Sequence, residues 1–128
     1  MLTRFILNNY IWKIKVVPAN SPYLIDRLGS TTVATTDPDE LCIFLSEELS
    51  GDFKKRVIAH EMGHATCFSF GLLPEIWECC YPDRRIQMEE FICNFVADYG
   101  ERIFEITYKI MGDEALEVLP HYLERLVA

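Results

Sequence analysis

Apolar and polar positions alternate from residue 11 to residue 17, with Trp12, Ile14 and Val16 on one side and Lys13 and Lys15 on the other. That is the two-residue period of a half-buried strand. Ser21-Pro22 offers an N-cap with proline at the first helical position, and Gly29 a stop, which predicts a short helix over 22–28. Thr31 to Thr36 is rich in β-branched residues, Asp37-Pro38-Asp39 is turn chemistry, and Leu41, Ile43 and Leu45 alternate with Cys42 and Phe44, together predicting a β-hairpin. From Gly51 the period becomes helical, and residues 52–70 read as one amphipathic helix ending at Gly71. Leu72 to Arg85, with Pro74 and Pro82-Asp83, reads as a long irregular connection. A second long helix is expected from Ile86 to Met111, stopping at Gly112. Asp113 would cap a final helical segment carrying Leu116, Leu119, Leu123 and Leu126, with Pro120 breaking or restarting it. Strands first and helices after predict an α+β fold, with residues 1–128 forming a single domain.

Composition narrows the class. The chain has 128 residues, half of them apolar, enough for a core without staples. Its net charge is −8, and its twelve Lys and Arg residues are scattered. Nucleic acid and anionic membrane are therefore poor direct partners. Five cysteines show neither Cys-x-x-Cys spacing nor the density of a secreted scaffold, which points to reduced thiols. Arg4, Asn8, Asn9, Lys13 and Lys15 interrupt the N-terminal stretch, so no signal peptide or membrane span is expected, and the expected location is cytoplasmic.

The chemistry is concentrated at His60-Glu61-Met62-Gly63-His64. Histidines four apart on a helix lie one above the other and can share one ion; Glu61, about 100° round, can reach a water beside it. A helical wheel places both histidines among Phe53, Val57, Cys67 and Phe68, with Glu61 at the border of that face, so these polar groups point inward. Burying them without partners would cost about 1–3 kcal/mol each, and a metal ion supplies the partner. Gly63 costs about 1 kcal/mol against Ala in a helix interior, and such a glycine usually admits a close neighbour. Catalytic zinc takes three protein ligands plus water, so a third ligand is needed. Cys67 and Phe70 stand where a metzincin needs Gly and His, which excludes that class. His121 is the only remaining histidine, and the second helix offers Glu89 and Glu90.

With Glu90-Phe91-Ile92-Cys93-Asn94-Phe95-Val96-Ala97 following that motif, the chain from about residue 30 to 105 resembles the ImmA/IrrE family of minimal zinc metallopeptidases. It departs from the family pattern at Cys93, at Val96 and in Gly100-Glu101-Arg102-Ile103. The resemblance implies a zincin-like domain, a small antiparallel or mixed sheet packed on the motif helix and a second long helix. It implies His60, His64 and Glu90 on one zinc ion, with manganese as the other candidate, Glu61 as general base, and Asn94 orienting a histidine. It also implies cleavage of a specific intracellular protein, such as a transcriptional repressor or regulator encoded nearby. Asn94 lies one turn beyond Glu90 on the same face, where it could bond a histidine's free nitrogen, whereas Glu89 has the weaker partner Cys93 there. Glu89, in turn, falls nearer the apolar arc of Ile92, Val96 and Ile103, where a buried carboxylate would itself need a partner. Two other readings stand beside the peptidase: a metal-stabilised binding module or anti-repressor that does not cut, and a metal-free helical interaction domain. An intact Glu61 speaks against the first, because a purely structural site closes all four positions and needs no base.

Overall fold

A computed structural model describes residues 1–116 of the chain. Its described residues divide into two compact units, the first Met1–Asp98 and the second beginning at Tyr99. The fold is α+β. In the first unit four strands, β1 (Arg4–Leu7), β2 (Tyr10–Val17), β3 (Ala34–Asp37) and β4 (Cys42–Ser46), form one mixed sheet in the order β1-β2-β4-β3. β1 and β2 pair antiparallel, as do β3 and β4, while β2 and β4 run parallel.

Strand β1 was not expected. It is folded back by Asn8-Asn9, both at positive φ (46° and 69°), the conformation that two-residue hairpin turns require and that asparagine tolerates. The 34–46 hairpin forms as the pattern predicts, its turn held by Asp37 Oδ1, which accepts from the amides of Asp39 and Glu40. β4 is buried at every position, because it is central and covered on both faces. Ile43 and Leu45 pack with Trp12, Val57 and Ala65 on one side, and Cys42 and Phe44 with Leu24 on the other. On β2 the apolar face is less regular than its alternation suggests, since Trp12 is fully buried but Val16 is half exposed.

The helix expected over 22–28 does not form. Only a 3-10 turn, Pro22–Leu24, follows the Ser21 cap, whose Oγ accepts from the Tyr23 amide. Leu24 is drawn fully into the core against β4, and the chain then closes a turn through the Ile25–Thr31 bridge, with Gly29 at φ +82°. Tertiary burial here overrides a short local preference.

Helix α1 (Gly51–Ser69) matches the expected span and lies on the sheet. Its last turn is tied to the first hairpin, where Trp12 Nε1 donates to Ser69 Oγ at 2.8 Å and Asn8 Nδ2 to the Ser69 carbonyl at 2.8 Å. The stretch from 72 to 85 is more regular than expected, with α2 (Leu73–Glu78) and a 3-10 turn over Pro82–Arg84. The span expected for the second long helix is helical from Arg85 to Met111, with a π turn inside it. α3 (Arg85–Phe95) runs into a π turn at Val96–Gly100, where every residue but Ala97 is a weak helix former. In the second unit, α4 (Glu101–Met111) stops at Gly112, with φ +68°, and a 3-10 turn covers Gly112–Leu116. Leu119, Pro120, His121, Leu123 and Leu126 lie outside the described residues. Among the described residues no helix is long and apolar enough to cross a membrane.

Candidate metal centre

α1 and α3 meet where Gly63 faces Cys93. A Cβ at Gly63 would lie 3.0 Å from Cys93 Sγ and 3.2 Å from its Cα, so the missing side chain is what lets the helices approach. Cys67, one turn further along α1, is buried and shares a hydrogen bond with Cys93, which pulls the Cys67 thiol pKa down and pushes that of Cys93 up. Both are free thiols filling the helix contact.

This contact sets the first turns of α3 against His60 and His64. Glu90 Oε2 lies 3.1 Å from His60 Nε2, Glu90 Oε1 lies 3.2 Å from His64 Nε2, and the two Nε2 atoms are 3.2 Å apart. A single proton can bridge one of these pairs at a time, but an ion between them serves all three. Ligands about 2.0–2.1 Å from zinc at tetrahedral angles lie about 3.3–3.4 Å from one another, close to what is seen. The residues present thus fit a divalent ion. His60, His64 and Glu90 form the one group of three or more potential ligands among the described residues, their ligand atoms all within 4.8 Å of one another.

Glu89 takes a different part. It is only 7 % exposed, and its Oε2 lies 2.5 Å from His64 Nδ1. The Arg27 guanidinium grips both of its oxygens, at 3.2 and 3.1 Å, and reaches Glu90 Oε1 at 3.4 Å. The buried carboxylate therefore has the partners its place on the apolar arc demands. It holds His64 with Nδ1 as donor and Nε2 turned to the centre. The hydrogen bond expected from Asn94 to a histidine is not made; its Oδ1 instead accepts from Arg56 at 3.4 Å, beside the Arg56–Asp98 ion pair at 2.9 Å. His60 Nδ1 is buried with no partner among the described residues.

Charges follow this geometry. Burial alone would lower the His64 pKa, but hydrogen bonds to Glu89 and Glu90 and the charge of Glu61 outweigh it and raise the imidazole to about 9. Hydrogen bonds from His60 and His64 hold the Glu90 carboxyl far below its ordinary value. Burial would raise Glu89, but His64 and Arg27 bring it down.

Glu61, also buried, is fixed by Thr36 on β3, whose Oγ1 lies 2.5 Å from Glu61 Oε2 and 3.2 Å from the Glu61 carbonyl oxygen. His60, Glu61, His64, Glu89 and Glu90 all line a cavity of about 610 Å³, which Tyr23, Arg27 and β3 also line. Sequence reasoning missed Arg27 and Thr36. Nothing local marks either one, since a lone arginine in a turn and a threonine in a strand are ordinary. The chain matches no protein-family model, no curated protein and no solved structure.

Proposed function

We propose that the protein is a zinc-dependent peptidase in which His60, His64 and Glu90 hold the ion and Glu61 is the general base. The observation that carries this reading is the convergence of His60 Nε2, His64 Nε2 and Glu90 at 3.1–3.2 Å, in the wall of a cavity that Glu61 also lines. Three protein ligands leave a fourth position for water, the arrangement of catalytic rather than structural zinc. A zinc ion held there by His60, His64 and Glu90 would supply Lewis acidity, polarising a carbonyl and lowering the pKa of water towards neutrality. Glu61 takes the proton of the attacking water and delivers it to the leaving amine. Thr36 occupies Glu61 Oε2, which leaves Oε1 to receive that proton. Glu89 keeps His64 in the tautomer whose Nε2 lone pair faces the centre.

The sheet supports a protein or peptide as the substrate. β3 is an edge strand, and Ala34, Thr35, Thr36 and Asp37 line the cavity. An extended protein segment adding to that edge would present its backbone to the centre. Together with the likeness of the two motifs to the ImmA/IrrE family, this supports cleavage of a specific protein, a repressor or regulator encoded nearby being the first to test.

The test compares zinc-loaded wild type with Glu61→Gln on that neighbouring regulator and on a mixed peptide library, read by mass spectrometry. Cleavage by wild type alone, with equal zinc content in both proteins, is expected. Zinc-loaded wild type that cuts nothing, or Glu61→Gln active within tenfold of it, rules the reading out.

A further inference from the structure

Arg27 is far from the centre in sequence and touches it in space. It sits on a tightly built turn. The Ile25–Thr31 bridge closes that turn, Asp26 Oδ1 accepts from the amides of Leu28 and Ser30, both at 2.9 Å, and Gly29 N donates to the Asp26 carbonyl at 3.0 Å. The turn thus presents the arginine from a fixed base. Its guanidinium holds two atoms that each face a nitrogen of His64: Glu89 Oε2, beside Nδ1, and Glu90 Oε1, beside Nε2.

We propose that Arg27 is a positioning residue of the metal centre. It orients Glu89 on His64 and steadies the Glu90 carboxylate, and it thereby raises the site's affinity for zinc. The proposal rests on the metal-site reading above. Two features carry it. First, a fork-to-carboxylate grip on both oxygens of Glu89 fixes the plane of that group, which a point charge could not do. Second, Arg27 is the one Lys or Arg among the described residues lining the cavity. Glu61, Glu89 and Glu90 bring three carboxylates to the centre, and a divalent ion together with one guanidinium balances them.

A purely structural arginine would staple the turn to α3 and leave zinc binding alone. The experiment therefore measures zinc affinity, by competition with a chromophoric chelator, alongside the melting temperature of the metal-free protein. The proteins compared are wild type, Arg27→Met, Arg27→Lys and Asp26→Ala. Outer partners of metal-binding histidines typically change affinity about 10–100-fold, and Arg27→Met is expected to fall in that range. Arg27→Lys, keeping the charge without the fork, is expected to recover only part of it. Asp26→Ala, which loosens the turn but keeps the guanidinium, is expected to lower the melting temperature more than the affinity. Cobalt-loaded Arg27→Met is expected to show an altered visible absorption spectrum, since the ligands are re-aimed.

Zinc bound by Arg27→Met within threefold of wild type overturns the assignment of Arg27 and leaves the metal site standing. Wild type that binds no zinc overturns both. Should Arg27→Met fail to fold, Arg27→Lys decides: unchanged affinity there overturns the proposal, and a loss of threefold or more supports it.

Discussion

Glu89 and Glu90 are neighbours in sequence, but a helix turns successive side chains about 100° apart, so they meet His64 on different nitrogens. Zinc affinity of single alanine variants should rank them. Glu90→Ala is expected to lose more than about 100-fold as a lost ligand, and Glu89→Ala about 10–100-fold as a lost partner of one. Asn94→Ala is expected to stay within a few fold, because its amide faces Arg56 and not a histidine. A large loss in Asn94→Ala would restore the role that the motif resemblance implies for it. His64 gives the metal-free protein a pH-dependent stability. Its imidazole is raised from an ordinary 6.5 to about 9 in the metal-free fold, so its stabilising contribution is fully present below about 6.5 and is lost as pH rises through 9. Metal-free protein should therefore melt at a lower temperature at pH 9.5 than at pH 6.5. Zinc binding requires the same proton to leave, so zinc affinity should rise over that interval. Melting curves with and without a chelator check both trends, and a metal-free melting temperature that does not fall would count against the His64 contacts.

At the scale of elements, the decisive contact is α1 against α3. A methyl at Gly63 could be relieved against Cys93 Sγ by side-chain movement, but not against the Cys93 Cα at 3.2 Å. Gly63→Ala should therefore push the helices apart by a few tenths of an ångström and carry Glu89 and Glu90 away from the histidines. Overpacking of this kind costs about 1–3 kcal/mol, offset in part by the roughly 1 kcal/mol that alanine gains over glycine in a helix. A lower urea midpoint and weaker zinc binding are expected, with partial recovery in Gly63→Ala/Cys93→Ala, which removes the sulfur but not the backbone. A Gly63→Ala protein that is more stable and binds zinc equally well would show that the helices do not depend on this gap. Element type was mostly legible where the signal is local. The α1 span follows from its apolar period and Gly71, and the 34–46 hairpin from β-branched runs about a turn. β1 has no apolar period of its own, although Asn8-Asn9 is a hairpin signal, and the helix signal over 22–28 yields because the pull of the core on Leu24 is not a local property.

For the molecule as a whole, a zinc ion would add a further link between α1 and α3, which already meet at Gly63–Cys93 and through the His60, His64, Glu89 and Glu90 side chains. Binding to the folded state alone stabilises it by about 2.7 kcal/mol at a free ion concentration a hundred times Kd, so the melting temperature should rise with added zinc. Amide exchange should slow in α1 around His60–His64 and in α3 around Glu89–Cys93 together. Slowing in α1 alone would argue against Glu90 as the third ligand. The sequence by itself determined that two histidines share one inward helical face with Glu61 at its border, because a spacing of four residues fixes direction within any helix and a spacing of one turns it about 100°. It also carried the order of strands first and helices after from which an α+β fold follows, without β1 and with a helix at 22–28 that does not form. Only the tertiary structure decided that β2 and β4 lie parallel, that Glu90 converges with the histidines while Glu89 turns to His64 Nδ1, and that Arg27 and Thr36 belong to the site. These depend on which distant segments are packed together, and such pairings are set by the burial of the whole core, which no local period encodes.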